Sequence, residues 1–105
     1  MREKDRLILL QLKNKLQKEV NLNEIRVFGS RADNSFREDS DIDVYVQVDT
    51  ITSEVKEIIR DICWQVSYEN RVVITPLIFS RDEVENSPLK SSPIIKNIYA
   101  DGIAI

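Results

Sequence analysis

Apolar residues recur at three- and four-residue intervals from the start of the chain. Leu9, Leu12, Leu16 and Val20, with Ile8 and Leu10 beside them, predict an amphipathic helix from Glu3 to Val20. Lys13, Lys15 and Lys18 form its solvated face. Asn21 and Asn23 interrupt the pattern, and Ile25 and Val27, alternating with Arg26 and Phe28, then predict a short strand ending at Gly29. After a polar stretch, strict alternation from Asp41 to Val48 predicts a second strand. Val55, Ile58, Ile59, Ile62, Cys63 and Val66 follow the helical template, so a long helix is expected over Thr52 to Tyr68. The β-branched run from Arg71 to Phe79 is a third strand, with Pro76 requiring an edge position or a bulge. Ser80 with Glu83 forms a capping box, Ser92 before Pro93 opens another helix, and Gly102 is a plausible stop for it. The sum is a single α/β domain over residues 1–105, a mixed sheet of about three strands flanked by helices.

Composition removes whole classes of chemistry. The 105 residues include no histidine, which excludes a Ser-His-Asp triad and any His-ligated metal. With one cysteine, Cys63, neither an internal disulfide nor a CxxC zinc site is available. Its place within an apolar stripe reads as core, pointing to a reducing, cytoplasmic setting. A net charge of -3 argues against nucleic acid or an anionic membrane as a bulk electrostatic partner. No run approaches the ~20 apolar residues that cross a bilayer, and the N-terminal segment lacks the pattern of a secretory signal.

The densest chemistry lies in the stretch FGSRADNSFREDSDIDVYV, residues 28–46. In a strand, Asp41, Asp43, Tyr45 and Gln47 point to one face while Ile42, Val44, Val46 and Val48 cover a helix on the other. The two aspartates then lie ~7 Å apart and repel by roughly 2 kcal/mol at an effective dielectric near 20. A divalent cation answers that repulsion, and Mg2+ accepts one or two carboxylates with water and phosphate completing its shell. The same spacing also fits a half-exposed strand with an acidic polar face. Just upstream, Gly29 allows close backbone approach and Ser30-Arg31-Ala32 begins a helical turn whose amides face outward, either a phosphate cradle or a simple tight turn. Together, cradle and carboxylates make a site for a metal-nucleotide.

Gly29-Ser30-Arg31-Ala32 followed by Ser40-Asp41-Ile42-Asp43 resembles the signature of the DNA polymerase beta-like nucleotidyltransferase superfamily. In length the chain is most similar to the minimal nucleotidyltransferases, antitoxin partners of HEPN-type RNase toxins. The resemblance implies that Gly29 and Ser30 hold the terminal phosphates of ATP, with Arg31 and Ser40 beside the nucleotide. It also implies that Asp41 and Asp43 are catalytic and bind Mg2+, and that AMP passes to a hydroxyl of a small molecule or a protein, such as a HEPN-type helical partner. Two departures stand out. Asn34 replaces a usual glycine, a position asparagine tolerates, and the third strand carries no acid where the family has its third carboxylate. Counting back from the capping box puts Val73 in that place, with Thr75 next on the same face. The alternative reading is therefore a catalytically weakened nucleotide- or partner-binding module.

Trp64 lies off the centre of its helix's apolar stripe and is expected to be partial core. Tyr68 and Tyr99 are assigned to packing, and Tyr45 either packs or lines the nucleotide site. The polar segment 34–39, with Phe36 exposed, is expected to be mobile without ligand.

Overall fold

The computed structural model describes residues 1–33 and 40–105, so the expectations placed on Asn34, Phe36 and the 34–39 segment lie outside the described residues. Helix α1 (Glu3–Glu19) leads into β1 (Leu22–Phe28), a single turn α2 (Ser30–Asp33) and β2 (Ile42–Val48). The long helix α3 (Ser53–Asn70) connects to β3 (Ile74–Ser80). Helix α4 (Arg81–Asn86), a 3-10 turn (Pro88–Ser91), α5 (Pro93–Asp101) and a two-residue strand β4 (Ile103–Ala104) complete the order. The sheet runs β3-β2-β1-β4, with β2 and β3 parallel and the other pairs antiparallel.

The predicted periodicities become two layers against one sheet. Leu9, Leu12 and Leu16 of α1 and Ile59, Cys63 and Val66 of α3 cover Ile25, Val27, Ile42, Val44 and Val46. These buried branched side chains are the principal favourable term, since fully burying each is worth about 1.5–3 kcal/mol. Burial pushes the Cys63 thiol up to about 12, which leaves it an inert core residue. Thr52 caps α3 by accepting the Val55 N–H at 3.1 Å, and Arg71 closes it in the left-handed region with φ 55°. The capping box at α4 is complete. Among the described residues no helix is long and apolar enough to cross a membrane.

Four features differ from expectation. First, β1 starts at Leu22, ahead of the alternation expected from Ile25, and its register shifts between Leu22 and Glu24, an irregularity that breaks the period there. Second, a fourth strand exists, because two residues are too few to show a period. It is fixed by pairing with Arg26 and Val27, and Gly102 before it lies so close to the carbonyls of Ile98 and Val27 that a Cβ would collide. Third, Tyr45 and Gln47 are buried although they face away from α1 and α3. Tyr45 packs with Ile95, Ile98 and Val84, so α4 and α5 cover most of the second face as well. Fourth, Trp64 and Tyr68 are 66% and 75% exposed and stack on each other at 5.5 Å, outside the core.

The outer edge of β3 is blunted. Pro76 lacks an N–H, the Ser67 hydroxyl accepts the Ile74 amide at 3.0 Å, and Glu83 accepts the Ser80 amide at 3.2 Å. An edge with three of its outward positions lacking a free donor is a poorer template for pairing with another chain.

Candidate functional site

Where α5 stops short of covering the second face, the sheet exposes one polar corner. It is built from the end of β1, the α2 turn, the start of β2 and the start of β3. Gly29 turns the chain with φ +72°, a conformation that favours glycine. Its missing side chain also matters, because a Cβ there would stand 2.8 Å from the Asp43 carboxylate. The turn and the carboxylate are thus packed against each other. The Gly29 carbonyl accepts the amides of Ala32 at 3.1 Å and Asp33 at 3.4 Å, closing α2 with Ser30 at its head.

Asp43 is half-buried and Asp41, one step before β2, is exposed. Thr75 ties them to one face: it is the register partner of Asp43, and its hydroxyl donates to the Asp41 carboxylate at 3.4 Å. Burial first, and the neighbouring Asp41 charge second, hold the Asp43 carboxyl above the ordinary 3.8. Among the described residues no basic side chain pairs with either acid. Such a pair fits Mg2+, which needs only one or two protein carboxylates. A set of three or more metal-ligating side chains is not found among the described residues.

The raised Asp43 pKa has a stability consequence with a definite sign. A carboxyl held above its unfolded value favours the folded state in acid, and that contribution is lost as pH climbs from about 3.8 through the raised value. Without metal at neutral pH the ionised pair is therefore a liability. Asp43→Asn is expected to raise the melting temperature in a chelating buffer by roughly 2–4 °C, equivalent to about half a kcal/mol after solvent screening. The gain should shrink at pH 4, and a scan showing no gain at pH 7 would remove the repulsion argument.

Arg31 departs most from its expected place. Only 1% exposed, it turns away from the carboxylate corner and pairs with the fully buried Asp5 of α1 at 3.4 Å. The same guanidinium donates to the Ser40 carbonyl, from Nη2 at 2.6 Å and from Nε at 3.2 Å. Arg31 is therefore a brace between α1, α2 and the residue preceding Asp41, and the expected role as phosphate neighbour does not fit it. Arg2 adds a second cation to Asp5 at 3.4 Å. Sequence reading missed Asp5 because an acid in the first turn of a helix is ordinary. Only its total burial marks it. Ser40 reaches the site through its carbonyl, as the acceptor of that brace.

The place of the missing third acid is also revised. Val73 lies before β3 and is 57% exposed, its carbonyl accepting the Ile42 amide at 2.7 Å. The residue alongside the pair is Thr75. Register along the edge strand sets Thr75 beside Asp43, while Val73 precedes the strand.

The Tyr45 hydroxyl meets that of Tyr99 at 3.2 Å and accepts from Gln47 at 3.3 Å, while Arg26 lies 4.6 Å over the Tyr99 ring. A cavity of about 820 Å³, lined by Arg60, Trp64 and Tyr68 among others, lies between α3 and β3 and includes neither aspartate. Volume alone does not mark the site.

The chain matches the model of a family described as "Polymerase beta, Nucleotidyltransferase" over residues 10–105. None of the curated protein sequences matches it. Among solved structures it is similar to a chain of a toxin–antitoxin crystallised with AMP-PNP, with a TM-score of 0.65 at 15% identity over 98% of this chain and 72% of that one. A mutant of the toxin–antitoxin MntA–HpeT gives 0.63 at 14% identity, covering 98% and 72%. A complex of tri-AMPylated Shewanella oneidensis HEPN toxin with MNT antitoxin gives 0.60 at 15% identity, covering 94% and 69%. At these identities the likeness is one of fold.

Proposed function

Since the chain belongs to the polymerase beta nucleotidyltransferase family, we propose that it transfers AMP from ATP, with Mg2+, to a hydroxyl of a protein partner of the HEPN-type helical kind or of a small molecule. One observation carries this reading: the Gly29 turn and the Asp41–Asp43 pair meet at a single open corner with no described basic side chain neutralising the acids. The similar structures, one a toxin–antitoxin with AMP-PNP and one a complex with a tri-AMPylated toxin, support the choice of nucleotide and partner.

Asp41 and Asp43 would hold the metal, and Gly29 with Ser30 would take the phosphate tail. Mg2+, when bound, supplies charge neutralisation for the phosphates. Gly29, lacking a side chain, lets the Asp43 carboxylate close against the turn that would take the phosphates, and the Arg31 brace ties that turn to the residue before Asp41. In the transfer, the acceptor oxygen bonds to the α-phosphorus and the bond from that phosphorus to the oxygen bridging to the β-phosphate breaks. Its electron pair leaves with pyrophosphate, and the hydroxyl proton passes to water. Thr75 orients Asp41 without being able to hold that proton.

Thr75 also favours a second reading, in which the domain binds nucleotide and partner with little turnover. Pyrophosphate release, measured with ATP, Mg2+ and the cognate partner present, separates the two. Steady release supports transfer; tight ATP binding without release supports the binding module. In either case Thr75→Asp is expected to raise the release rate by about 10²-fold, the low end for a positioned acid–base group. An unchanged or lower rate with the fold intact would mean that the corner is not short of an acid.

A further inference from the structure

A second cavity, about 360 Å³, opens on the same sheet face as Asp43. Gly29 belongs to both sites: a Cβ on it would meet the Asp43 carboxylate, and the residue lines the cavity. Phe28, another lining residue, is the direct register partner of Asp43 across the β1–β2 ladder. Antiparallel partners project to the same face, so the ring and the carboxylate are neighbours. The opposite wall is α5, which contributes Ile94, Asn97 and Ile98. Ile94 is 46% exposed, although its neighbours Ile95 and Ile98 are buried in the core. Ile94 therefore offers open apolar surface at the wall of the cavity.

From this continuity we infer that the cavity holds the nucleobase of the triphosphate, and that Asn97 determines which base is accepted. The inference rests on the nucleotide reading above and extends it to specificity. The cavity has the mixed lining of a small-molecule site, apolar surface from Phe28, Ile94 and Ile98 with Asn97 and the acids Asp33 and Asp101 as its polar groups. Phe28 and Ile94 offer flat and branched apolar surfaces to a ring. Asn97 is exposed at the surface of α5 and carries one acceptor and two donors. An amide can accept from the 6-amino group of adenine while donating to N7. The nearby Asp101 carboxylate is acceptor-only when ionised, which suits an amino group and disfavours the carbonyl oxygen of guanine. The preferred ligand is therefore a 6-aminopurine nucleotide.

Calorimetry with MgATP, MgGTP and inorganic triphosphate with Mg2+ tests this on the full chain and on Asn97→Ala and Ile94→Ala. The wild-type protein should bind ATP more tightly than GTP. Asn97→Ala should weaken ATP by about fivefold to tenfold, as expected for a lost hydrogen-bonding amide, and narrow the ATP–GTP difference. Ile94→Ala should weaken ATP with triphosphate affinity unchanged, and both side chains are exposed enough for the fold to tolerate the change. If ATP and triphosphate bind but neither variant alters ATP affinity, the base lies elsewhere and this inference fails alone. If triphosphate and ATP both fail to bind, the nucleotide reading falls and takes the inference with it.

Discussion

Asp43→Ala is expected to reduce ATP-dependent labelling of the partner by at least about 10²-fold, the scale on which a preorganised charge-stabilising group acts. Asp43 combines the features that make a substitution here costly to chemistry and cheap to the fold. It is half-buried, packed against Gly29, beside Asp41 and opposite Thr75, and it contributes little to the main core. The separation of effects is the informative part. Asp43→Asn keeps the shape, should remove transfer to a similar extent, and should melt higher than the unsubstituted protein without metal. A variant that loses activity while gaining stability identifies a group kept for function against its electrostatic cost. Labelling that persists at near wild-type rates in Asp43→Ala would rule out these acids as the catalytic pair.

The second large effect is on stability. Arg31→Ala should destabilise the domain by about 3 kcal/mol, since removing one partner of a buried ion pair leaves the other charge uncompensated. For a domain of this size that corresponds to a fall in melting temperature of roughly 12 °C or more. Asp5 would keep only Arg2, whose side chain is 32% exposed and reaches it at 3.4 Å. The Ser40 carbonyl would lose both guanidinium donors. Because a fully apolar replacement of a buried pair can be nearly neutral, combining Arg31→Met with Asp5→Leu should recover much of the loss. The recovered protein would still bind nucleotide poorly, because nothing would tie the α2 turn to the residue before Asp41. A melting shift of only a degree or two in Arg31→Ala would show that the brace is not needed for folding.

The contrast between Asp43 and Arg31 explains how far the sequence could be read. Both lie in one motif, and the motif placed both beside a nucleotide. For Asp43 the reading rested on alternation, a property of the local backbone, and the strand does present it on the expected face. For Arg31 it rested on sequence proximity to Gly29 and Ser30, but its direction is set by Asp5, twenty-six residues earlier. Nothing local announces that partner. Trp64 failed for a related reason: its helical position was read correctly, but whether any element covers that side of α3 is a property of the whole packing.

By itself, the sequence determined the helices α1 and α3, the alternating strand β2, the capping box and the Gly-Ser turn followed by paired aspartates. Each is written in spacing, in special backbone needs or in side-chain caps, and these act over a few residues. Only the tertiary structure decided that β3 lies at an edge with Thr75 beside Asp43, that Arg31 is a buried brace, that α4 and α5 pack over Tyr45, and that Gly29 joins the acids to a second cavity. Those outcomes depend on strand register and on contacts between residues distant in the chain. A side chain's environment is fixed by whichever elements pack over it, and local periodicity carries no record of that choice.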